Sequence, residues 1–327
     1  MSFYLSTIVV YFGADLMAAW GLNMQFGWAG VPNFAFIVFQ AAGAYTYATV
    51  TLGPSGGVTA FQHYIFGANL PFPLPFIVSA LAGGVVALVL GLITLRPLRR
   101  DYQAAVFLLF AVIAVDVVSA DVNLFNGSNG LAAVPQPLAG IQNSLGLGGY
   151  QWLYAAFVVV ICAAVLTLIR ALGRSGWQRA LRAARDDEPA ARALGINAPV
   201  LRLQVFVIGG MIAGLSGGLL VGLISAWSPG GWQYSETFAV LTGIILGGIS
   251  NDWGVLIGTF LVQIAFQELT ALFLPQIGYP GLSDALVWVV IGLLWLVVLY
   301  FRPRGIWPER RMRVNNAPPK PVERGGL

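Results

Sequence analysis

Histidine and cysteine are almost missing from this sequence: of its 327 residues one is a histidine, His63, and one a cysteine, Cys162. A lone cysteine inside an apolar run excludes a disulfide framework and a cysteine-rich metal site. A lone histidine leaves no cluster for zinc or haem. The only lysine, Lys320, sits in the tail, so no His or Lys relay is available to a proton-coupled mechanism. Charge is scarce as well. Asp, Glu, Lys and Arg make up 9% of the chain, where a soluble domain carries about 25%. So little charge cannot coat a soluble surface of this size. A cytoplasmic enzyme, a disordered regulator and a nucleic-acid reader are thereby excluded. No nucleophile–base pair, metal-ligand spacing or GxxxxGK[ST] phosphate loop occurs, so neither catalysis nor binding of ATP, cofactor or metal is expected of this chain.

What is present is apolar. Hydrophobic residues make up 58% of the sequence, with 40 glycines among the rest. A bilayer core about 30 Å thick takes roughly 20 apolar residues of helix. The expected architecture is an all-α polytopic bundle of about nine spans, eight to ten, with broken or re-entrant helices. The candidates are 3–22, 28–50, 75–95, 104–125, 150–171, 203–226, 236–250, 253–275 and 284–301. All 17 basic residues fall in three stretches, Arg96–Arg100, Arg170–Arg202 and Arg302–Arg324. Basic loops stay cytoplasmic because they resist translocation. Even numbers of spans separate the three stretches, so they share one side. Three spans before Arg96 put the N-terminus outside and the C-terminus in the cytoplasm. With no basic residue before Arg96, the start lacks the n-region of a signal peptide and is expected to be an uncleaved first span.

Two domains are expected: a transmembrane domain at 1–307 with a cytoplasmic loop at 173–202, and a polar, disordered tail at 308–327. The stretch 126–149 is rich in Gly, Asn and Pro and is expected to be a structured external loop. Gly209, Gly210, Ala213, Gly214, Gly217 and Gly218 recur at helical spacing and suit close helix packing. The run 236–250 is too short to cross upright and reads as a broken helix meeting its neighbour near Asn251-Asp252. Irregular backbone at membrane depth is tolerated only where protein or a water-filled path surrounds it. The breaks at Gly27–Asn33 and Gly243–Gly254 are therefore expected to border a pathway. They supply Pro32 and Asn33 from the first, and Gly243, Gly247 and Gly248 from the second.

Acidic residues in or beside the spans are functional hypotheses. Asp121, Glu236, Asp252 and Asp284 lie near span ends and read as interfacial. Asp15, Asp116 and Glu268 lie deeper and read equally as pathway lining or as protonated structural carboxyls. His63 falls in an external loop and reads as a surface residue.

The second basic stretch is the most informative. Trp177, Ala180, Leu181 and Ala184 follow the i, i+3, i+4, i+7 pattern and make one apolar stripe, with Arg179, Arg182 and Arg185 on another face. Asp186-Asp187-Glu188 before Pro189 suits a helix start, and Gly195 after Leu194 suits a stop. Two short amphipathic helices are expected, lying on anionic lipid or docking a cytoplasmic protein.

This segment, GRSGWQRALRAARDDEPAARALGI, resembles the cytoplasmic loop of permease subunits in ATP-binding-cassette importers for branched-chain amino acids. The resemblance runs from about residue 15 to 308, through GLNMQFGWAG, GAYTYA, LPFPLPFIVSALAGG, TLRPLRRDY with NGSNGL, GLSGGLL, VLTGIILGGISNDWGVLIGTFL and YFRPRGIWP. It implies an inner-membrane importer with a homologous second permease, two cytoplasmic ATPases that carry the ATP and Mg, and an external solute-binding protein. It implies that residues 174–197 hold the coupling helices, with Trp177, Ala180, Leu181, Ala184, Pro189, Ala191, Leu194 and Gly195 in the ATPase groove. The cargo implied is a branched-chain or other hydrophobic amino acid. Related systems carry urea, short amides or small carboxylates, and an ion-coupled secondary transporter stays open. The family's Gln-x-Ser-Leu-Gly-His-like run after GWAG is here Val31-Pro32-Asn33-Phe34-Ala35-Phe36, without the Ser or His, so cargo choice is expected to differ. With no cation in the spans, a substrate carboxylate would meet neutral donors, for which Asn23, Gln25 and Asn33 are the candidates.

Overall fold

A computed structural model describes residues 2–54, 56, 59–95, 100–266 and 305–308, with isolated helical positions between 286 and 301. The expected span 284–301, the end of 253–275, and nearly all of the tail 308–327 lie outside the described residues, as do Glu268 and Asp284.

The described residues are helical, with only two isolated β-bridges, Tyr64–Phe125 and Leu131–Trp227. The long elements are α1 (Ser2–Asn23), which runs into a π-helical turn at Met24–Trp28, α2 (Phe36–Thr51), α3 (Leu74–Thr94) and α4 (Arg100–Ala120). A short α5 (Val122–Phe125) follows, and then a long α6 (Ala139–Gly173). The second basic stretch forms α7 (Gly176–Asp186) and α8 (Glu188–Ala193). After it come α9 (Ala198–Ile224), α10 (Tyr234–Gly247) and α11 (Asp252–Thr259), the last continuing as π-helix over Phe260–Phe266. Among the described residues five stretches are long and apolar enough to cross a membrane: Phe3–Trp28, Leu74–Thr94, Tyr102–Ala120, Gly148–Gly173 and Ala198–Ile224. The chain is a polytopic membrane-integral helical bundle.

Helix α9 is the hub, packed against α1, α2 and α3. Its small-residue face permits this. A Cβ on Gly217 would lie 2.0 Å from the Gln40 carbonyl oxygen of α2, so only glycine lets the two backbones meet. Outward faces of α3, α4 and α6 expose Leu81, Val85, Ile113 and Val160. Such faces suit lipid tails or a neighbouring membrane subunit.

Three boundaries differ from expectation. Helix α2 begins at Phe36 because the preceding backbone is broken, with the Ala35 N–H donating to Asn33 Oδ1 at 2.9 Å. The fourth span stops at Ala120, where Asp121 caps α5 by accepting from the Asn123 N–H. Helix α6 begins at Ala139, inside the stretch expected to be loop, and kinks at Gly146, whose φ is 69°. The short α10 meets α11 across Gly248–Asn251, as the broken-helix expectation requires. Gly248 makes that turn with φ 129°, and a Cβ there would sit 2.2 Å from the Trp307 carbonyl oxygen.

Candidate functional site

At the end of the bundle remote from α7 and α8, a cavity of about 460 Å³ opens between α1, α2, α9 and α10. Asp15 of α1 and Glu236 at the start of α10 both line it, with Tyr11, Gln40 and Gln263 as neutral polar groups. Ile37, Leu131, Leu220 and Ile224 form apolar wall. The rim is held by a two-way backbone bridge, Leu131 N–H to Trp227 O and Trp227 N–H to Leu131 O, each 2.8 Å. Behind it, Gln40 Nε2 donates to Ser216 Oγ at 3.1 Å. Glu236, expected near a span end, stands in the first turn of α10 and lines the same cavity as Asp15.

Beneath the cavity lie the amides expected to line the path. Asn23, Gln25 and Asn33 are all at most 1% exposed. Asn33 Nδ2 donates to Gln25 Oε1 at 2.7 Å, and Gln25 Nε2 donates to the Phe206 carbonyl of α9 at 2.8 Å. Asn23 Oδ1 accepts from the Ser250 N–H at 2.9 Å, tying the first break to the second. These side chains satisfy backbone groups freed by the breaks, which lipid could not do. Their side chains are engaged within the protein and are not among the described residues that line this cavity. Pro32 is half-buried in the same broken segment.

Gly243 and Gly247 also turn inward. A Cβ on Gly247 would meet the Gly254 carbonyl oxygen at 1.9 Å, and one on Gly243 the Gly258 carbonyl oxygen at 3.3 Å. The pair lets α10 and α11 touch along their backbones, and neither glycine lines the cavity. Asp116 is exposed on α4, outside the cavity lining.

The α7–α8 element follows from its caps. Ser175 caps α7 by accepting from the Gln178 N–H, and Asp187 caps α8 by accepting from the Ala190 N–H at 3.0 Å. Pro189 sits in the first turn of α8, and Gly195 follows with φ 80°. The apolar stripe of α7 faces this chain's own bundle. Leu181 and Ala184 are fully buried, and Trp177 packs edge-on against Trp28 while its Nε1 donates to Gln204 Oε1 at 2.8 Å. Ala191 is buried against Ala184 and Ala198. Within this chain the stripe Trp177, Leu181 and Ala184 and the neighbouring Ala191 are covered by the protein's own residues. Ala180 is half-buried, whereas Pro189, Leu194 and Gly195 are exposed, Leu194 at 80%.

Two arginines bind this element to the membrane part. Arg202 at the base of α9 meets Glu188 at 2.7 Å, and Arg192 meets the same carboxylate at 2.5 Å. Partial burial pushes the Glu188 carboxyl upward, but the Arg202 and Arg192 guanidiniums outweigh it and hold it below its ordinary 4.5. Arg185 of α7, which the sequence placed only on a basic face, donates through Nη1 to the Gly27 carbonyl and, at 3.2 Å, to Ser250 Oγ. One guanidinium thus joins α7 to both breaks. Arg170 of α6 stacks over the Trp253 ring of α11 at 4.6 Å. A second cavity of about 670 Å³ lies beside this region, between Arg182, Asn251 and Trp307.

Residues 4–299 match the family model described as branched-chain amino acid transport system, permease component. Over 94% of both chains, the sequence is 27% identical to a probable branched-chain amino acid transport permease protein LivM of Methanocaldococcus jannaschii. It is 28% identical to the LivM permease of a high-affinity branched-chain amino acid transport system of Salmonella typhimurium, over 89% of this chain and 67% of that one. It is also 25% identical to a probable LivH permease of M. jannaschii, over 91% and 90%. No solved structure matches. Matched along nearly its whole length, the chain belongs to the branched-chain amino acid transport permease family.

Proposed function

We propose that this protein is a membrane-spanning permease subunit of an ATP-binding-cassette importer that moves a branched-chain or other hydrophobic amino acid into the cytoplasm. The observation that carries the reading is the family match over residues 4–299. The chain pairs with a homologous second permease, takes its ATP-driven motion from two cytoplasmic ATPases, and receives solute from an external binding protein. The three basic stretches lie in the cytoplasm and the N-terminus outside, so the 460 Å³ cavity opens toward the binding protein.

Docking falls to the exposed tip of the loop. Leu194, with Pro189 and Gly195 beside it, presents apolar surface to an ATPase groove. Displacement of α7 and α8 reaches the membrane through Arg185, which grips the Gly27 carbonyl and Ser250 at the two breaks. The amide network around Asn23, Gln25 and Asn33 carries the displacement on to α9.

Uptake by proteoliposomes holding the complete importer tests this. ATP-dependent accumulation of labelled leucine, isoleucine or valine in the presence of the binding protein is expected. Accumulation of only urea, short amides or small carboxylates would overturn the cargo. Uptake by the purified chain under an ion gradient, without ATPases, would overturn the class.

A further inference from the structure

The second cavity, about 670 Å³, lies at the α7–α8 end of the bundle and is left unassigned by the transport reading. Its volume falls in the range that takes small organic groups, roughly 300–1,000 Å³. Two charges of opposite sign line it from different helices, Arg182 of α7 and Asp252 at the start of α11. Asp252 lies close enough to Arg170 and Arg182 for their charges to interact. Among the described residues its carboxylate has no hydrogen-bond or ion-pair partner, and the Trp20 indole N–H donates to its backbone carbonyl instead, at 3.1 Å. Asn251, also in the lining, holds the Trp307 carbonyl through Nδ2 at 3.0 Å. A separate observation concerns the apolar side. Trp253 and Trp307 flank the cavity and are 52% and 48% exposed. Half-exposed tryptophans at the ends of membrane helices sit at headgroup level, where their amphipathic rings meet both phases. From Trp253 an apolar stripe leaves the cavity along α11. Ile257 follows half-buried at i+4 and Phe260 exposed at i+7, about 10 Å further on at 1.5 Å per residue. A charged chamber thus opens onto an apolar track, the two chemistries that a phospholipid combines. A soluble anion would use the first and leave the track bare.

We infer that this cavity binds a membrane phospholipid whose headgroup carries a primary ammonium, a phosphatidylethanolamine. The phosphate accepts from Arg182, the ammonium donates to the Asp252 carboxylate, and an acyl chain lies on the Trp253–Ile257–Phe260 stripe. Both polar contacts are charge-assisted hydrogen bonds. A choline headgroup has no N–H to give Asp252, and a glycerol headgroup has no cation. Bound in this way, the lipid bridges α7 and α11 beside the contact between Arg185 and Ser250, and so adds to the hold of α7 on the second break. The inference does not depend on which solute the protein moves.

The test uses the assembled importer in detergent, with a phosphatidylethanolamine that carries a diazirine in one acyl chain. After illumination, peptide mass spectrometry should find cross-links on α11 around Ile257 and Phe260. Unlabelled phosphatidylethanolamine should suppress them about tenfold or more better than phosphatidylcholine or phosphatidylglycerol, the loss of one hydrogen bond to a charged group. Glycerophosphoethanolamine, the headgroup without its tails, should compete about tenfold or more weakly than the lipid, having no chain for the stripe. Asp252→Asn should erase the preference over phosphatidylcholine, and Asp252→Glu should retain it. Arg182→Gln should weaken all three lipids about tenfold, and Arg182→Lys should restore most of the loss. Equal competition by the three lipids in the unmutated chain overturns the headgroup assignment, whether or not the variants assemble, and so does a preference that survives Asp252→Asn. Competition by glycerophosphoethanolamine equal to that of the lipid identifies a soluble ligand and overturns the lipid. Absence of cross-links on α11 shows that protein covers the stripe and overturns the site.

Discussion

Replacing Arg185 by glutamine cuts a side chain that joins α7 to both membrane breaks. Its guanidinium donates to the Gly27 carbonyl and to Ser250 Oγ, and its side chain is 21% exposed. Hydrogen bonds to a charged group contribute about 1.5–3 kcal/mol each. Taking the lower end for this partly wetted position, two bonds amount to about 3 kcal/mol, or roughly a hundredfold in the equilibrium that holds α7 against the breaks. The Asp186 partner is exposed and adds little. The buried stripe of α7 and the Glu188 ion pairs remain, so the permease should still assemble with its partners. The effect should appear as slippage: solute moved per ATP hydrolysed should fall at least tenfold while basal hydrolysis persists. Lysine at 185 keeps the charge but lacks the forked donor geometry, and should recover only part of the loss. Leucine uptake and phosphate release, measured together in proteoliposomes, give the ratio. An unchanged ratio in Arg185→Gln would refute the tether.

Three further outcomes follow from the same element. Leu181→Ala should destabilise the purified permease by about 2–5 kcal/mol, since the side chain is fully buried in its own bundle, whereas Leu194→Asp should leave the melting temperature unchanged and abolish copurification of the ATPases. Glu188 has its folded carboxyl held below 4.5 by Arg202 and Arg192. Its stabilisation is therefore complete above about pH 4.5 and fades as pH falls through the lowered value. Limited proteolysis of the 173–202 loop should accelerate only below that range, and Glu188→Gln should remove the dependence.

Much of the fold was legible because lipid permits few solutions. Apolar runs, the positions of the arginines and the small-residue face of α9 each have one reading at membrane depth. The caps of α7 and α8 were legible for a similar reason: Pro189 and Gly195 each suit one end of a helix. The destination of the α7 stripe was not. Periodicity gives Trp177, Leu181 and Ala184 a common face, but whether Trp28 and α9 or another protein covers it depends on where the chain turns after Gly173. The partners of the amides were hidden in the same way. Asn23, Gln25 and Asn33 in apolar surroundings read as substrate donors, and their contacts with Phe206 and Ser250 join segments far apart in the sequence. Asp15 stood out in the sequence, but its neighbour Glu236 comes from the far end of the chain, so their convergence carried no local signal.

The glycine contacts at the centre set where this protein can move. With Gly217 seated on the Gln40 carbonyl, and a Cβ on Gly43 placed 2.2 Å from the Gly214 carbonyl oxygen, sliding α9 along α2 by one residue would drive side chains into backbone. Shear between these helices is therefore blocked, and they travel as one block. The compliant seam is the opposite boundary, where α2 meets α10 through the Ile37 N–H to Thr237 Oγ1 bond and the stacked rings of Phe34 and Phe238. Ile37 and Gln40 stand on one side of that seam and Glu236 on the other, with the outer cavity between them. Prising the seam open or shut changes the width of the cavity without disturbing the core, so the fold confines such movement to the lining of the outer cavity.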